Sequence, residues 1–468
     1  MVYFLGKRGE RMQRIQIPRD AERILDELET AGFQAYVVGG CVRDSLMGRT
    51  PKDWDITTSA EPQDVKRIFR NTYDTGIEHG TVSVRFGMEI YEVTTFRVDG
   101  VYTDHRRPDT VQYTGSLRED LKRRDFTMNA MAYHPRTGVV DLFQGQEDLR
   151  AGRIRCVGEA RERFEEDALR MLRAYRFAAR FGFEIEETTK RAIREKAPLL
   201  ANVSRERVRE EMEQLLVSEH PEVLRDLAAS GLMAQIIPEW MESVGVPQKN
   251  RYHCYTVEEH TIRTVAETPA VRVVRWAALL HDIAKLRCRV TDEAGIDHFT
   301  GHPEMGAEMA DSILRRLKFD NVAREAIVLA VRMHDTDPPE TDVQMRQLLS
   351  VLPDGFYPYL EALQRADAMV HSVQSREESL RKLERAHALY EGVLDRGECV
   401  KLADLAVGGR DLMEIGYPRG KMIGTVLNLL LRQVLEKPQV NSKELLLQVA
   451  AQLKEKIGTD PEGGKESQ

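Results

Sequence analysis

Two carboxylates one residue apart carry the first possible chemistry. Asp53 and Asp55 lie in VVGGCVRDSLMGRTPKDWDITT. A bare Asp-x-Asp arises by chance in a chain rich in aspartate, and alone it reads as a solvated turn. Its surroundings add weight. A short apolar run, AYVV, leads into Gly39 and Gly40 and then into a helical stretch. Glycines let backbone approach a phosphate, and N–H groups at a helix start favour an anion. Arg43 adds a fork of donors suited to phosphate oxygens. If Asp53 and Asp55 lie on a strand, they point to one face, and two carboxylates side by side call for a cation. Mg²⁺ suits them, because it takes oxygen ligands together with substrate phosphates. Glu92, in the later run IYEVTTF, could be a third carboxylate.

A second set lies in RFEEDALRMLRAYRFAARFGF, read as one helix. Asp167, Arg170, Arg173 and Arg176 recur every third residue and so lie along one side of it, while Leu169, Leu172, Phe177 and Phe181 line a core face. The plain account is Asp–Arg support on a solvated face. The chemical account is base selection. Cytosine and adenine present an exocyclic amine on the Watson–Crick edge, where uracil and guanine present a carbonyl. A carboxylate accepts from the amine and repels the carbonyl, while an arginine donates to ring acceptors. One Asp and one Arg at fixed separation could therefore choose C and A without a template.

A third set is spread along the chain: His260 in VEEHT, His281–Asp282 in RWAALLHDIAKL, His302 in TGHPEMGAEMA, His334–Asp335, and Asp367 in QRADAMVHS. Imidazole and carboxylate ligands from separate helices suit a divalent transition metal. A helical scaffold with satisfied histidines is the alternative. His253, in YHCYT, reads as a packing or surface residue.

The elements that must position these residues follow from periodicity. PRDAERILDELETAG, residues 18–32, predicts a helix closed by Gly32, AYVV a buried strand, DVKRIF a helix, and TVSVRFGMEIYEVTTFRV a hairpin turning near Gly87. Residues 99–115 lack a period and read as a long loop. Beyond about residue 150 strand signals almost vanish and helical patterns run to about 453. The expected fold class is α+β: a mixed-sheet head followed by a long all-α body.

With 468 residues the chain is long enough for about three domains. Hydrophobic residues at 42% exclude a disordered chain. No apolar run is long enough to span a membrane, and the N-terminus lacks a secretory signal core; Met12 could be the translation start. Five scattered cysteines, never in CxxC, fit free thiols in a reducing cytoplasm. The net charge of −8 points away from nucleic acid, but residues 150–209 hold 16 Lys+Arg against 10 Asp+Glu. Net charge thus governs solubility rather than deciding whether a site exists.

The run VVGGCVRDSLMGRTPKDWDITTSA, followed by RRDFTMNAMAYHP, resembles the head of the nucleotidyltransferase superfamily, and more narrowly the class II tRNA nucleotidyltransferases and bacterial poly(A) polymerases. EEDALRMLRAYRF is similar to that family's EDxxR motif, and ETTKRAIREKAPLLANVSRERVREEMEQLL to its neck. The resemblance covers nearly the whole chain. It implies a small mixed sheet with helices on one side and a nucleotidyltransferase-type catalytic pair, Asp53 and Asp55, holding Mg²⁺. It implies nucleotide contacts from Gly40, Arg43, Arg124, Asp125, Arg173 and Arg176. Base selection would fall to Asp167 and Arg170, with Glu166 orienting Arg170. The order His260, His281–Asp282, Asp367 resembles the HD phosphohydrolase superfamily, and implies a second metal, a divalent transition ion, on those four residues.

The expected organisation is a head at 15–150, a base-reading and RNA-binding neck at 151–245, an HD domain at 246–400, a helical tail domain at 401–455 and a disordered end at 456–468. The expected activity is addition or repair of the 3′-terminal CCA of tRNA from CTP and ATP in the cytoplasm, with no membrane and no stable protein partner. TFRVDGVYTDHRRPD is similar to the loop of full CCA-adding enzymes. An A-adding specialist or a poly(A) polymerase remains open within the same family, and an HD-type phosphohydrolase with a nucleotide-binding head remains open outside it.

Overall fold

The computed structural model describes residues 14–100 and 111–458. The tip of the 99–115 loop, the stretch before and around Met12, and the polar end from residue 459 lie outside the described residues. The chain divides into two compact units, residues 1–244 with 312–320, and residues 245–311 with 321–468.

The first unit begins with helix α1 (Arg19–Thr30). Ile24, Leu25 and Leu28 share one face and are buried, each contributing about 1.5–3 kcal/mol of transfer free energy. Gly32, at φ +92°, ends the helix: its N–H donates to the Glu29 carbonyl and the Phe33 N–H to the Leu28 carbonyl. That double bond needs a left-handed residue, which glycine supplies cheaply.

A seven-stranded mixed sheet follows. Its strands are β1 (Ala35–Val38), β2 (Ile56–Thr58), β3 (Thr72–Gly76), β4 (Thr81–Phe86), β5 (Glu89–Thr95), β8 (Met131–His134) and β9 (Gly138–Asp141), in the order β3-β4-β5-β2-β1-β8-β9. Only β2 and β5 pair in parallel. The β4–β5 hairpin pairs Phe86 with Glu89 around Gly87 at φ +57°, as the sequence predicts. Strands β6 (Arg97–Asp99) and β7 (Val111–Tyr113) form a separate antiparallel ribbon, so both ends of the expected 99–115 loop are strand. Backbone pairing across the stem, which no single-strand period reveals, makes this difference.

The sheet is covered on both faces. Ala35 and Val37 pack with α1 and with α3 (Pro62–Ile68). The alternate residues Tyr36 and Val38 pack with Leu117 and Leu121 of α4 (Leu117–Lys122). The resemblance implied helices on one side only; α4 is the correction. Helix α2 (Gly40–Leu46) follows β1, and α5 (Gly145–Arg150) follows β9.

Helices α6 (Ala160–Glu166), α7 (Leu169–Phe181), α8 (Glu187–Lys196), α9 (Arg205–Leu216), α10 (Leu224–Ala229) and α11 (Leu232–Ile236) complete this unit's main path. The sequence reading of one continuous helix across 163–183 is corrected at Asp167. That residue caps α6 in an extended conformation, and its carboxylate accepts the Leu169 N–H at 3.1 Å, restarting the chain as α7. Aspartate competes with helical backbone in this way, which is why it favours helix ends. The vanishing of strand signals holds apart from two-residue pairs, such as Arg153–Ile154 with Glu184–Ile185.

The second unit is helical. Its first helices are α12 (Val257–Glu267), α13 (Arg272–Leu280), α14 (His302–Arg316, which from residue 312 belongs to the first unit), α15 (Asn321–Met333), α16 (Asp342–Val351), α17 (Tyr357–Val370) and α18 (Val373–Asp395). Helices α19 (Gly409–Glu414), α20 (Lys421–Glu436) and α21 (Lys443–Gly458) close a small apolar core of their own around Leu412, Val426, Leu430, Val434 and Leu446.

Candidate active site and metal-ligating cluster

The head site forms where β1 runs into α2. Asp53 and Asp55 precede β2 instead of lying within it, although the Asp55 carbonyl already accepts the Val38 N–H at 3.0 Å. Asp53 is exposed and Asp55 half-buried. The parallel register of Ile56 with Val93 sets Asp55 beside Glu92, which is exposed. Burial pushes the Asp55 carboxyl up to about 6; Arg124 opposes this, and Asp53 and Glu92 add to it. Three carboxylates thus act on one another with Arg124 as the opposing cation, a donor set that fits a hard divalent ion.

Of the two glycines, Gly39 carries the constraint. Its φ is +82°, and a Cβ there would lie 2.9 Å from Nη1 of Arg124. Gly40 begins α2 normally, with only a 3.6 Å contact to Arg43. Arg43 itself is 4% exposed and already bonded. Its Nε donates to Asp44 at 2.8 Å and its Nη1 to Asn129 at 2.5 Å, and its guanidinium lies over Phe177 and Phe181. The donors expected to be free for phosphate therefore hold the turn onto α7.

Asp125 is also engaged. One oxygen accepts from the Phe126 N–H and from Asn129; the other accepts two bonds from Arg173, at 2.9 and 2.7 Å. Burial opposes its charge, but Arg173 and Asn129 hold the carboxyl far below the usual range. Arg176, 9% exposed, pairs with Glu211 at 2.6 Å, donates to Gln214 at 2.9 Å and lies over Phe177. Asp167 and Arg170 each engage a partner outside their own pair. Asp167 accepts from Arg207 of α9 at 2.8 Å, while Arg170 pairs with Glu166 at 2.5 Å and donates to the Arg123 carbonyl at 3.0 Å.

Sequence reasoning missed three positioning groups: Arg207, Glu211 and Asp120. The first two sit one turn apart on α9, facing the Asp167–Arg176 stripe, and that spacing was a usable signal. Asp120, fully buried on α4, accepts from Arg123 at 2.8 Å and from Thr57 of β2 at 3.1 Å, and lies 3.5 Å from Arg124. Burial works against its charge, but the two arginines hold its carboxyl low.

In the second unit, helix ends bring the scattered histidines and aspartates together. His260 of α12, His281 and Asp282 after α13, and Asp367 of α17 meet: His260 Nε2 is 2.7 Å from Asp367, and His281 Nε2 is 3.1 Å from Asp282 and 3.5 Å from Asp367. Lys285 Nζ stands 2.7 Å from the same Asp282 oxygen. Burial opposes charge on His281, yet Asp282 and Asp367 push its imidazole up to about 10. Burial pulls His260 down and takes His334 to about 3. His253 is part of this cluster, its ring 4.9 Å from those of His260 and His371. It is neither a surface group nor ordinary packing, and burial beside Lys285 takes it to about 2. His302 and His334 join through Asp282, at 3.5 and 3.8 Å.

A mixed sheet that sets paired carboxylates beside a glycine turn defines a nucleotidyltransferase head. A family model described as the poly(A) polymerase head domain matches residues 35–155, one described as a probable RNA- and SrmB-binding site of polymerase A matches 182–243, and one described as a putative tRNA nucleotidyltransferase domain 2 matches 291–450. The CCA-adding enzyme of Lactiplantibacillus plantarum is 35% identical over 439 residues, 93% of this chain and 97% of that relative. The Leuconostoc mesenteroides CCA-adding enzyme is 49% identical over 254 residues, 53% of this chain, and the match spans 63% of that relative's length. A crystal structure of the Bacillus stearothermophilus CCA-adding enzyme in complex with CTP has a TM-score of 0.70 at 31% identity, covering 94% of this chain and 98% of that one. A Thermotoga maritima CCA-adding enzyme complexed with tRNA, at 21% identity and a TM-score of 0.56 over 92% and 94% of the two chains, shares the fold. The chain belongs to the CCA-adding enzyme family. No helix among the described residues is long and apolar enough to cross a membrane, and all five cysteines are free thiols.

Proposed function

We propose that this chain is a template-independent nucleotidyltransferase that adds or restores the 3′-terminal CCA of tRNA from CTP and ATP, releasing pyrophosphate. The observation that carries the reading is the carboxylate set of Asp53, Asp55 and Glu92 beside the Gly39 turn, in a chain matched along almost its full length by CCA-adding enzymes. Bound there, Mg²⁺ would activate the attacking 3′-hydroxyl and offset charge on the leaving pyrophosphate. The chain's own residues do the positioning. Gly39 and Gly40 admit the phosphates, and Arg124 stands beside them with its partner Asp120 behind it. Asp167, held by Arg207, accepts the exocyclic amine of C or A; Arg170, held by Glu166, donates to the neighbouring ring acceptor. Arg43, Asp125, Arg173 and Arg176 lock this base-reading helix to the head.

The organisation that goes with this reading is a head at 15–150, a neck at 151–245, an HD domain at 246–400 and a tail domain at 401–455. In the HD domain, His260, His281, Asp282 and Asp367 hold a divalent transition ion. Free thiols fit work in the cytoplasm.

The test is extension of tRNA lacking CCA, with single labelled NTPs and Mg²⁺. Wild type should add C, C and A, and Asp53→Ala with Asp55→Ala should add nothing. Addition of A alone, and only to tRNA already ending in CC, would instead make the chain an A-adding specialist; long A tracts would make it a poly(A) polymerase. No addition at all would sink the reading. In the same assay Asp167→Ala should raise UTP use by roughly 10–100-fold relative to CTP, the scale of one bidentate base contact. Arg207→Ala should do the same to a smaller degree, because it frees the carboxylate without removing it.

A further inference from the structure

The head carboxylates close one end of a cross-strand row that the proposed reaction leaves unused. Tyr73 of β3 pairs with Ser83 of β4, Ser83 pairs with Glu92 of β5, and the parallel register of β5 with β2 continues the row toward Asp55. Residues directly opposite one another in a sheet share a face. The next row on that face runs from Arg85 of β4 to Ile90 of β5. The other face of these strands meets the core, where Val82, Val84, Tyr91 and Val93 are buried.

Helix α4 covers the carboxylate face at Tyr36 and Val38 of β1. Past Asp55 the same face opens. Glu92 and Arg85 are exposed, Tyr73 is 46% exposed and Ile90 59%. Single apolar side chains scattered on a surface are ordinary, but these form one strip continuous with the carboxylates. The strip is also braced. Arg85 Nη1 donates to the Tyr73 hydroxyl at 3.4 Å, its Nε donates to the Gly87 carbonyl at 3.0 Å, and the Thr75 and Ser83 hydroxyls lie 2.5 Å apart.

The chemistry of transfer gives the strip its occupant. Gly39 and Arg124, which admit the phosphates, stand at the end of β1. The order β3-β4-β5-β2-β1 puts them on one side of the carboxylate set and the strip on the other. In phosphoryl transfer the attacking and leaving oxygens lie roughly in line across the phosphorus. Pyrophosphate leaves on the β1 side, so the attacking 3′-hydroxyl enters from the β5 side, and its own base and phosphate then lie over β4 and β3. At the usual strand spacing the Tyr73 backbone is roughly 10 Å from that of Glu92, a span that a nucleotide and a tyrosine ring cover together.

We infer that this strip seats the 3′-terminal nucleotide of the tRNA, with the Tyr73 ring stacked on its base and Arg85 set against its phosphate. The inference rests on Asp53, Asp55 and Glu92 serving nucleotide addition. Tyr73 and Arg85 are then positioning residues for the acceptor, whereas Asp167 and Arg170 read the incoming base. A ring face suits the seat. The terminal base changes as C, C and A are added, and stacking tolerates any base where hydrogen-bonding pairs do not.

The experiment uses the full-length chain with Mg²⁺ and a tRNA acceptor carrying 2-aminopurine as its last nucleotide, whose fluorescence is quenched by stacking. Wild type should quench it. Tyr73→Phe should also quench it, because the ring remains, and Tyr73→Ala should not. In extension of unmodified tRNA, Tyr73→Ala should raise KM for tRNA about 5- to 150-fold, the alanine cost of one stacked base, and leave KM for the incoming nucleotide within about twofold. Arg85→Ala should lower the salt slope of tRNA binding by about one. No quench by wild type, a quench that persists in Tyr73→Ala, or an unchanged KM for tRNA in that variant would overturn the seat while leaving nucleotide addition standing. Equal losses for tRNA and nucleotide would overturn it too, by making the row structural. No extension by wild type with any NTP would overturn the addition reading and the seat with it.

Discussion

Asp55 shows how one side chain can be costly to the fold and useful to the chemistry. Its carboxyl rises from 3.8 to about 6 through burial, with Asp53 and Glu92 close by. A carboxyl whose folded pKa lies above its unfolded one stabilises the protein only while protonated. That contribution is present below about pH 4 and is lost as pH rises through 6. Above pH 7 the ionised group therefore costs on the order of 2–3 kcal/mol in the metal-free protein. Asp55→Asn should abolish nucleotide addition yet melt higher than wild type at pH 8 in EDTA, and the gap should close as pH falls through 6. Added Mg²⁺ should raise the wild-type melting temperature and leave the variant's almost unmoved. Thermal melts across pH, with and without the ion, check both. A variant less stable at every pH would refute the charge-repulsion account.

At the scale of elements, the strand–turn–helix of β1, Gly39 and α2 fixes the site's floor. Gly39 lies in left-handed backbone with Arg124 against it, whereas Gly40 is ordinary helix. Gly39→Ala should cost about 1–3 kcal/mol and displace Arg124, lowering CTP affinity; Gly40→Ala should stay within about 0.5 kcal/mol of wild type. Denaturant melts and nucleotide binding distinguish them, and equal losses in both variants would count against a specific role for the turn. The break at Asp167 has a similar consequence. Because α6 ends there, the carboxylate leaves the α7 stripe and meets Arg207 of α9, so base reading would depend on two helices.

At the scale of the molecule, a net charge of −8 coexists with a strongly basic stretch at 150–209. Many of those arginines are paired internally, with Asp125, Glu166, Asp167 or Glu211. The charge left for phosphates is therefore less than the count suggests. tRNA binding should be weak and steeply salt-dependent: even three phosphate contacts give at least about a tenfold loss between 50 and 200 mM salt. Filter binding across that range measures it, and a flat profile would show that backbone charge does not drive association.

The sequence by itself determined what depends on local pattern. Period and turn chemistry marked α1, the β4–β5 hairpin and the change from sheet to helix near residue 150, because each is written within a dozen residues. Residue type and order marked Asp53 with Asp55, the Asp167–Arg176 stripe, and the histidine–aspartate series. Only the tertiary structure decided partnership. It placed Arg43 and Asp125 in internal bonds, gave Asp167 to Arg207, set Asp120 beneath the arginine pair, and drew His253, His302 and His334 into one cluster with Asp282. The physical reason is distance along the chain. Arg43 meets Asn129 across 86 residues and His260 meets Asp367 across 107. Such contacts are set by how whole helices and sheets pack, so no local period announces them.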